Sequence, residues 1–502
     1  MNINKSSKSH LTGKTYLIPE NTDDSEKINS FLNLNKGKKI IVVQGLGFVG
    51  AVMSIVCANA LHEEYVVIGI DLPSPESYWK ICSINEGIFP IISADKKVEE
   101  YFQNSIKKNN FYATSDTYAF TKADVVIVDI NLDVQKQTDH IQSNKIVDYS
   151  VNLSGFESAI KSIGDKCKED ILILIETTVP PGTTNLARKI IQDCLSHRNL
   201  NPEKIKIGHS YERVMPGPNY IDSIQNFYRV YSGVNDHSAD YVEKFLKTII
   251  HVDEYPLTRL KSTNATEMSK VLENSFRAMN IAFIVEWSRY AEEAGVDLYE
   301  VVNAIRMRPT HKNLMLPGIG VGGYCLTKDP LLASWSKQNL IGGDNGLYMS
   351  EMAVSTNDNM PVYAFNSLKN LFKDSSIKNK NIYFLGVSYA PDVGDTRYSP
   401  VELFCKLLKE QECTMYFNDP FVAFWEEMNV DVKNNFNDLS KPLDIVVIST
   451  GHTLYKKNKD LLNKIFDKDK LVIFDTIGIL SDDEIALLSK KHIVKVLGRG
   501  DI

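Results

Sequence analysis

Cysteine is scarce and scattered. The 502 residues hold seven, Cys57, Cys82, Cys167, Cys194, Cys325, Cys405 and Cys413. The number is odd and no C-x-x-C pair occurs, which argues against a disulfide framework and against a structural zinc site, so no metal is expected. Long apolar runs are missing as well. No uncharged stretch reaches the ~18 residues that a membrane span needs, and residues 1–35, rich in Lys, Asn and Ser, lack the apolar segment of a secretory signal. A cytoplasmic protein is expected. Positive charge is not in excess, with 56 Lys+Arg against 63 Asp+Glu and a net charge of -7, so there is no electrostatic footprint for a nucleic acid.

What is present belongs to an ordinary folded chain: 43% hydrophobic, 10% aromatic and 24% charged residues. At roughly 150 residues per domain the length suggests about three domains. Compact apolar runs recur at KKIIVVQ, YVVIGID, ADVVIVDI and DILILIET, each continuous, as in parallel strands buried on both faces. Residues 260–294 contain no Pro, carry apolar residues at Met268, Val271, Leu272, Phe276, Met279, Phe283 and Ile284, and stop at Gly295. That pattern predicts one long amphipathic helix, suited to a domain bridge or a dimer interface. A second α/β pattern starts at NIYFLGVSYAPDVGDTR and continues through DIVVIST and LVIFDT. The expected fold is α/β, with two Rossmann-like doubly wound parallel-sheet domains joined by a central helical domain. The parts are a polar extension at 1–37 in which a short helix begins near Asp24, a dinucleotide-binding domain at 38–255, a helical and dimerisation domain at 256–375, and a second α/β domain at 376–502.

The first strand runs directly into Gly45-Leu46-Gly47-Phe48-Val49-Gly50, a helix follows, and Asp71 ends the next strand. This is the context in which glycines cradle a dinucleotide. Gly45 allows the tight turn, Gly47 lets backbone amides approach the pyrophosphate, Gly50 lets helix and strand pack closely, and the helix N-terminus attracts the anion. Asp71 is positioned to accept from the adenine ribose. No Arg or Lys follows it within DLPSPESYW, which favours NAD over NADP.

In PGIGVGGYCLTKDP, Cys325 follows a run of glycines and precedes Lys328 and Asp329. A thiolate exposed in such a loop can attack a carbonyl carbon. A lone cysteine is also commonly a small buried hydrophobe, and the glycines alone leave both readings open. Lys270 and Asn274, four apart on the long helix with Glu267 one turn earlier, share a face. They could hold an oxyanion or form a solvated stripe.

Taken together, the blocks VVQGLGFVG, INEGIFPI, ETTVPPGTT, YERVMPG, ATEMSKVLENSFRAMNIAF, PGIGVGGYCLTKDP, GVSYAPDVGDTRYSP and DIVVISTGHTLY resemble the UDP-glucose/GDP-mannose dehydrogenase family over residues 38–495. The resemblance implies oxidation of the C6 hydroxyl of a nucleotide sugar to a carboxylate with two NAD in succession. It also implies roles for named residues. Cys325 matches the nucleophile that carries a thiohemiacetal and then a thioester, Lys270 and Asn274 the pair that stabilises oxyanions, and Asp329 the carboxylate that handles water and protons. Thr178 matches a threonine that positions water beside the cofactor, and Glu212 a glutamate that assists thioester hydrolysis. The Gly45, Gly47, Phe48, Val49, Gly50 and Asp71 set is assigned to NAD, and Arg213, Gly322, Arg397 and, across a dimer, Arg308 to the UDP-sugar.

Three positions depart from the family pattern. Pro216 stands where the glucose branch has a second glutamate, so YERVMPG is similar to the form in UDP-N-acetylhexosamine enzymes and favours UDP-N-acetylglucosamine or UDP-N-acetylmannosamine. Ala390 replaces a lysine, and Tyr324 stands where histidine is common. UDP-glucose oxidation, a two-electron β-hydroxyacid-type dehydrogenase, and a nucleotide-sugar-binding protein that has lost catalysis are the competing functions. A surface-glycan precursor is the product that the resemblance suggests, made by a dimer or higher homo-oligomer.

Overall fold

Continuous apolar runs become the strands at the centre of each sheet, as the absence of alternation in them requires. The computed structural model describes residues 5–139, 145–214, 217–372 and 375–502. The chain forms two compact units, one of Met1–Asp133, Val151–Val271 and Trp335–Asp344, the other of Val134–Ser150, Leu272–Ser334 and Asn345–Ile502.

In chain order the first unit begins with β1 (Ser6–Lys8), β2 (Thr15–Leu17), α1 (Ser25–Leu34), β3 (Lys39–Gln44), α2 (Gly50–Ala58), β4 (Tyr65–Ile70), α3 (Tyr78–Asn85), α4 (Lys96–Lys108), β5 (Phe111–Thr114) and β6 (Val125–Val128). Strands β7 (Val134–Asp139) and β8 (Lys145–Val151) then form a two-stranded sheet that, up to Ser150, belongs to the second unit. The first unit resumes with α5 (Ser154–Gly164), β9 (Leu172–Ile175), α6 (Thr183–His197), β10 (Lys206–His209), α7 (Asp222–Gln225), β11 (Val230–Gly233), α8 (Asp236–Leu246) and β12 (Thr258–Arg259). Among the described residues its main sheet has the order β12-β11-β10-β9-β6-β3-β4-β5. All neighbours are parallel except β10 and β11. Apolar residues on both sheet faces, such as Val43 and Leu174 on one and Val42 and Ile173 on the other, build two separate cores. This is the doubly wound arrangement expected from the sequence.

The extension 1–37 is more structured than a polar tail. Beyond the short helix expected near Asp24, β1 and β2 pair antiparallel, and α1 buries Ile28 and Phe31 in the sheet core. The three-residue strands carry too few apolar residues to be read from the sequence.

The long helix is α9 (Thr263–Ala294), 32 residues. Its N-terminal part belongs to the first unit and its remainder to the second. The second unit continues with α10 (Leu298–Arg306), α11 (Asp329–Asn339), α12 (Tyr348–Asp358), α13 (Met360–Asn370), β13 (Asn381–Leu385), α14 (Pro400–Glu410), β14 (Thr414–Asn418), β15 (Phe424–Trp425), β16 (Val430–Asp431), β17 (Ile445–Ile448), α15 (Lys459–Phe466), β18 (Val472–Asp475), α16 (Asp482–Leu488) and β19 (Ile493–Val496). Its parallel sheet runs β14-β13-β17-β18-β19, and Val285 of α9 packs in the same core as Met360, Phe384 and Phe404. The apolar residues read along α9 divide into two groups. Val271 and Ile284 are buried, whereas Met268, Leu272, Phe276 and Phe283 are exposed in the single chain. Among the described residues no helix is long and apolar enough to cross a membrane.

His209, at the end of β10, is fully buried and shares a hydrogen bond with Thr266 Oγ1 at 2.9 Å. Burial, with smaller contributions from the charges of Lys270 and Arg229, pushes its pKa down to about 3. The unfolded chain takes up this proton near pH 6.5 and the folded chain does not, so acidification below pH 6.5 costs up to about 1.4 kcal/mol per pH unit. Urea unfolding at pH 7.5, 6 and 5 should show that loss in the native sequence and a shallower slope in His209→Gln. Equal slopes would remove His209 from the acid sensitivity.

Candidate active site

The glycine turn leads from β3 into α2 with no room for side chains at two points. A Cβ on Gly45, at φ +99°, would lie 2.1 Å from the Asp129 carbonyl oxygen, and one on Gly50 would lie 1.9 Å from the Gly45 oxygen. A Cβ on Gly47 would meet nothing within 4 Å. The turn is therefore tight on the protein side and open at Gly47, as a pyrophosphate approaching backbone amides requires. Val49 stands at the N-cap of α2, and the Phe48 carbonyl accepts from Tyr220 OH. Asp71 accepts from Leu46 N at 3.1 Å and Leu72 N at 2.8 Å, tying the acid to the turn. These residues fit a dinucleotide: the acid would hold the adenine ribose, and the amide-lined turn the phosphates.

Lys80, the residue after DLPSPESYW, comes back on α3 to 3.8 Å from Asp71 Oδ2. A group of buried charges at the ends of β6 and β9 also went unread, because each carboxylate is the last letter of an apolar run. Asp129 is buried beside the fully buried Glu176, and Arg229 pairs with Glu176. Burial, followed by the charges of Glu176 and Glu212, holds the Asp129 carboxyl well above the usual range. Burial also raises Glu176, against the opposing charge of Arg229.

Thr178, just past β9, is buried. The loop that follows is anchored by Glu267 on α9, whose carboxylate accepts from Gly182 N at 2.7 Å and from Thr184 N and Thr184 Oγ1, both at 2.6 Å. One turn on, Lys270 Nζ donates to the Glu212 carbonyl at 2.9 Å, lies 3.8 Å from Glu212 Oε1 and faces the Tyr211 ring at 5.3 Å. Lys270 and Glu212 are both buried, which excludes a solvated stripe. Arg213 donates to the Tyr228 carbonyl at 2.9 Å and lies over the Tyr211 and Phe227 rings. Pro216 lies outside the described residues.

In the second unit Cys325 is exposed, whereas Cys57, Cys167, Cys194, Cys405 and Cys413 are buried and Cys82 is half-buried. This decides against the buried-hydrophobe reading of Cys325. The loop before it is clamped by close packing, since a Cβ on Gly322 would stand 2.5 Å from Tyr389 Cβ, and Gly323 N donates to the Arg397 carbonyl at 3.1 Å. After it, Asp329 N donates to the Cys325 carbonyl at 2.8 Å and α11 begins. Asp329 is fully buried, accepts from Asn274 Nδ2 at 2.6 Å and pairs with Lys328 Nζ at 2.8 Å.

Arg397 holds Asp395 in a two-point contact, Nε to Oδ1 at 2.9 Å and Nη2 to Oδ2 at 2.7 Å, with its guanidinium 5.3 Å from the Tyr324 ring and in electrostatic reach of Cys325. Lys328 Nζ lies 4.4 Å from the same ring. Tyr324 therefore lies within reach of two cations. Ala390, half-buried, accepts at its carbonyl from Ser388 Oγ. Arg308 is exposed at the end of α10 and is not brought to Cys325 within this unit by any hydrogen bond described. The sequence also passed over Lys136 of β7, which reaches the Thr327 carbonyl at 3.1 Å and Asp358 at 2.7 Å.

The sequence matches the UDP-glucose/GDP-mannose dehydrogenase family in three blocks, its NAD binding domain at residues 38–252, its central domain at 264–359 and its UDP binding domain at 383–482. The chain belongs to this family. A UDP-N-acetyl-D-mannosamine dehydrogenase of Methanococcus maripaludis is 29% identical over 471 residues, covering 92% of this chain and 97% of that protein. A UDP-N-acetyl-D-mannosamine dehydrogenase structure from Pyrococcus horikoshii superposes with a TM-score of 0.75 at 25% identity over 92% of this chain and all of that one. The fold is also that of a UDP-glucose dehydrogenase from Pyrobaculum islandicum, with a TM-score of 0.72 at 19% identity over 92% and 99% of the two chains. As a member of the family the protein is an NAD-dependent nucleotide-sugar dehydrogenase, and the glycine turn lies within its NAD binding domain.

The two glycines separate packing from binding. Gly47→Ala should keep the unfolding free energy within ~0.5 kcal/mol, as surface substitutions do, while weakening NAD binding at least tenfold in calorimetry. Gly50→Ala should lower both. A Gly47→Ala protein that binds NAD normally would contradict the open-turn geometry.

Proposed function

We propose that the protein oxidises the C6 hydroxyl of a UDP-N-acetylhexosamine to the uronic acid in two steps, with UDP-N-acetylmannosamine the leading substrate. The observation that carries the reading is the exposed Cys325, set in a loop whose glycines leave it accessible, with the buried Asp329–Lys328 pair and the half-buried Asn274 at the loop's end. The similarity to enzymes named for UDP-N-acetyl-D-mannosamine supports the sugar. NAD, when bound, supplies the hydride acceptor for each of two oxidations.

The chain's own residues supply the rest. The alcohol loses a proton and a hydride to give the C6 aldehyde. The Cys325 thiolate then adds to the carbonyl carbon, forming a C–S bond and an oxyanion that Lys270 and Asn274 stabilise as hydrogen-bond donors. A second hydride loss from this thiohemiacetal gives a thioester. Water, positioned by Thr178 and deprotonated with help from Glu212 and Asp329, cleaves the C–S bond and returns the thiol. The sum is one alcohol, one water and two NAD converted to one carboxylate, two NADH and three protons. The UDP-sugar is assigned to Arg213, Gly322 and Arg397, with Arg308 given from a partner copy. The product is a precursor for a surface glycan.

Residues 256–375 act as the dimerisation domain in this reading. The exposed residues Leu272, Phe276, Phe283, Trp287 and Tyr290 recur along α9 at helical spacing, and an apolar stripe of that length is what a second copy would cover. Trp287→Glu should shift the mass in light scattering from dimer to monomer, and an unchanged mass would remove α9 from the interface.

Cys325→Ala should bind UDP-N-acetylmannosamine within a few-fold of the native Kd and form no uronic acid. Acid formation by this variant would overturn the covalent route. For the substrate, kcat/KM should be at least tenfold higher with UDP-N-acetylmannosamine than with UDP-glucose, and a preference for UDP-glucose would overturn the hexosamine assignment.

A further inference from the structure

The family match begins at residue 38, yet residues 5–37 are folded onto the part of the first unit that follows the ribose acid. The segment Leu72–Ser77 links Asp71 to α3. Helix α3 has only eight residues, and its own N-cap, Ser77, makes no side-chain capping bond. A helix this short gains little from propensity and needs external partners.

Both ends of α3 receive partners from the hairpin. At the N-terminal end the hydroxyl of Ser7, which is fully buried in β1, accepts from Trp79 N at 3.0 Å and donates to the Pro75 carbonyl at 2.6 Å. Ser7 thus caps α3 from more than seventy positions upstream and fixes the loop beside it. The Trp79 indole donates to the Glu76 carbonyl at 3.1 Å and meets the His10 ring edge-on at 5.8 Å. At the other end Glu86, the C-cap residue, accepts from Lys14 Nζ at 2.6 Å and from Tyr16 OH at 2.9 Å. Between these two anchors Lys80 projects toward Asp71 at 3.8 Å. Leu72, largely exposed next to that acid, is the apolar side chain that a purine face could cover.

We propose that the β1–β2 hairpin is a cofactor-positioning element that fixes the Leu72–Ser77 loop and α3, and through them Asp71, for the adenosine half of NAD. The inference rests on NAD binding at the glycine turn. The side-chain hydrogen bonds described for it go to α3 and the loop before it, so its loss should act on one ligand only.

The test is calorimetric titration of AMP and ADP-ribose, with no turnover involved, into the full chain, into a chain lacking residues 1–18 with α1 retained, and into Ser7→Ala. Loss of a cap is worth about a fivefold change in an equilibrium constant. Ser7→Ala should therefore weaken both ligands about threefold to fivefold, and the deletion should weaken them more. KM for NAD should rise in step while kcat at saturating NAD and KM for the UDP-sugar stay within twofold. Native AMP and ADP-ribose affinity in Ser7→Ala would overturn the proposal, including the case where the deleted chain fails to fold. Absence of AMP and ADP-ribose binding in the full chain would instead overturn the cofactor-site reading beneath it.

Discussion

A charged or polar group removed from water must find its hydrogen bonds inside the protein, and Glu267 and Lys270, one turn apart on α9, meet that demand, with the half-buried Asn274 a further turn on. Glu267 anchors the loop after Thr178 through three donors. Lys270 is fixed on the Glu212 carbonyl. Asn274, in the second unit, is fixed on Asp329. Glu267 and Lys270 are oriented by these bonds, and Asn274 by its bond to the buried Asp329. A lysine held on a carbonyl can donate to a developing oxyanion without first being reoriented, which supports the role proposed for Lys270.

The cofactor half depends on the opposite property, the absence of side chains. Gly45 and Gly50 allow the strand, turn and helix to approach Asp129 more closely than any Cβ permits, and Asp71 fastens the turn from the neighbouring strand. Beneath it lie the buried carboxyls of Asp129 and Glu176, with Arg229 paired to Glu176. Charges in that position shape the local potential of the first unit. Around Cys325 the same logic recurs, because Gly322 lets the loop close against Tyr389 while the thiol stays exposed.

Much of this was legible in the sequence because the relevant signals are local. Unbroken apolar runs marked the buried strands, the glycines marked the tight turn to which Asp71 is tied, and the apolar period through residues 260–294 marked α9. The losses have a shared physical origin in contacts remote along the chain. Ser7 reads as one polar residue among many, and its capping bond to Trp79 exists only once the hairpin folds back. Lys80 reaches Asp71 because α3 returns toward the strand end. Asp129 and Glu176 terminate runs whose hydrophobicity conceals them. Glu267, read as a companion of Lys270, acts instead on a loop eighty residues upstream. The exposed half of the apolar period on α9 follows from the same limit, since periodicity shows that a face is apolar without naming what covers it.

In the proposed route one thiol links two oxidations without release of the aldehyde. The NADH formed per limiting UDP-N-acetylmannosamine, followed by absorbance with an aldehyde trap present, tests this. Two NADH per sugar and no trapped aldehyde are expected. One NADH per sugar with the C6 aldehyde recovered in the trap would contradict it.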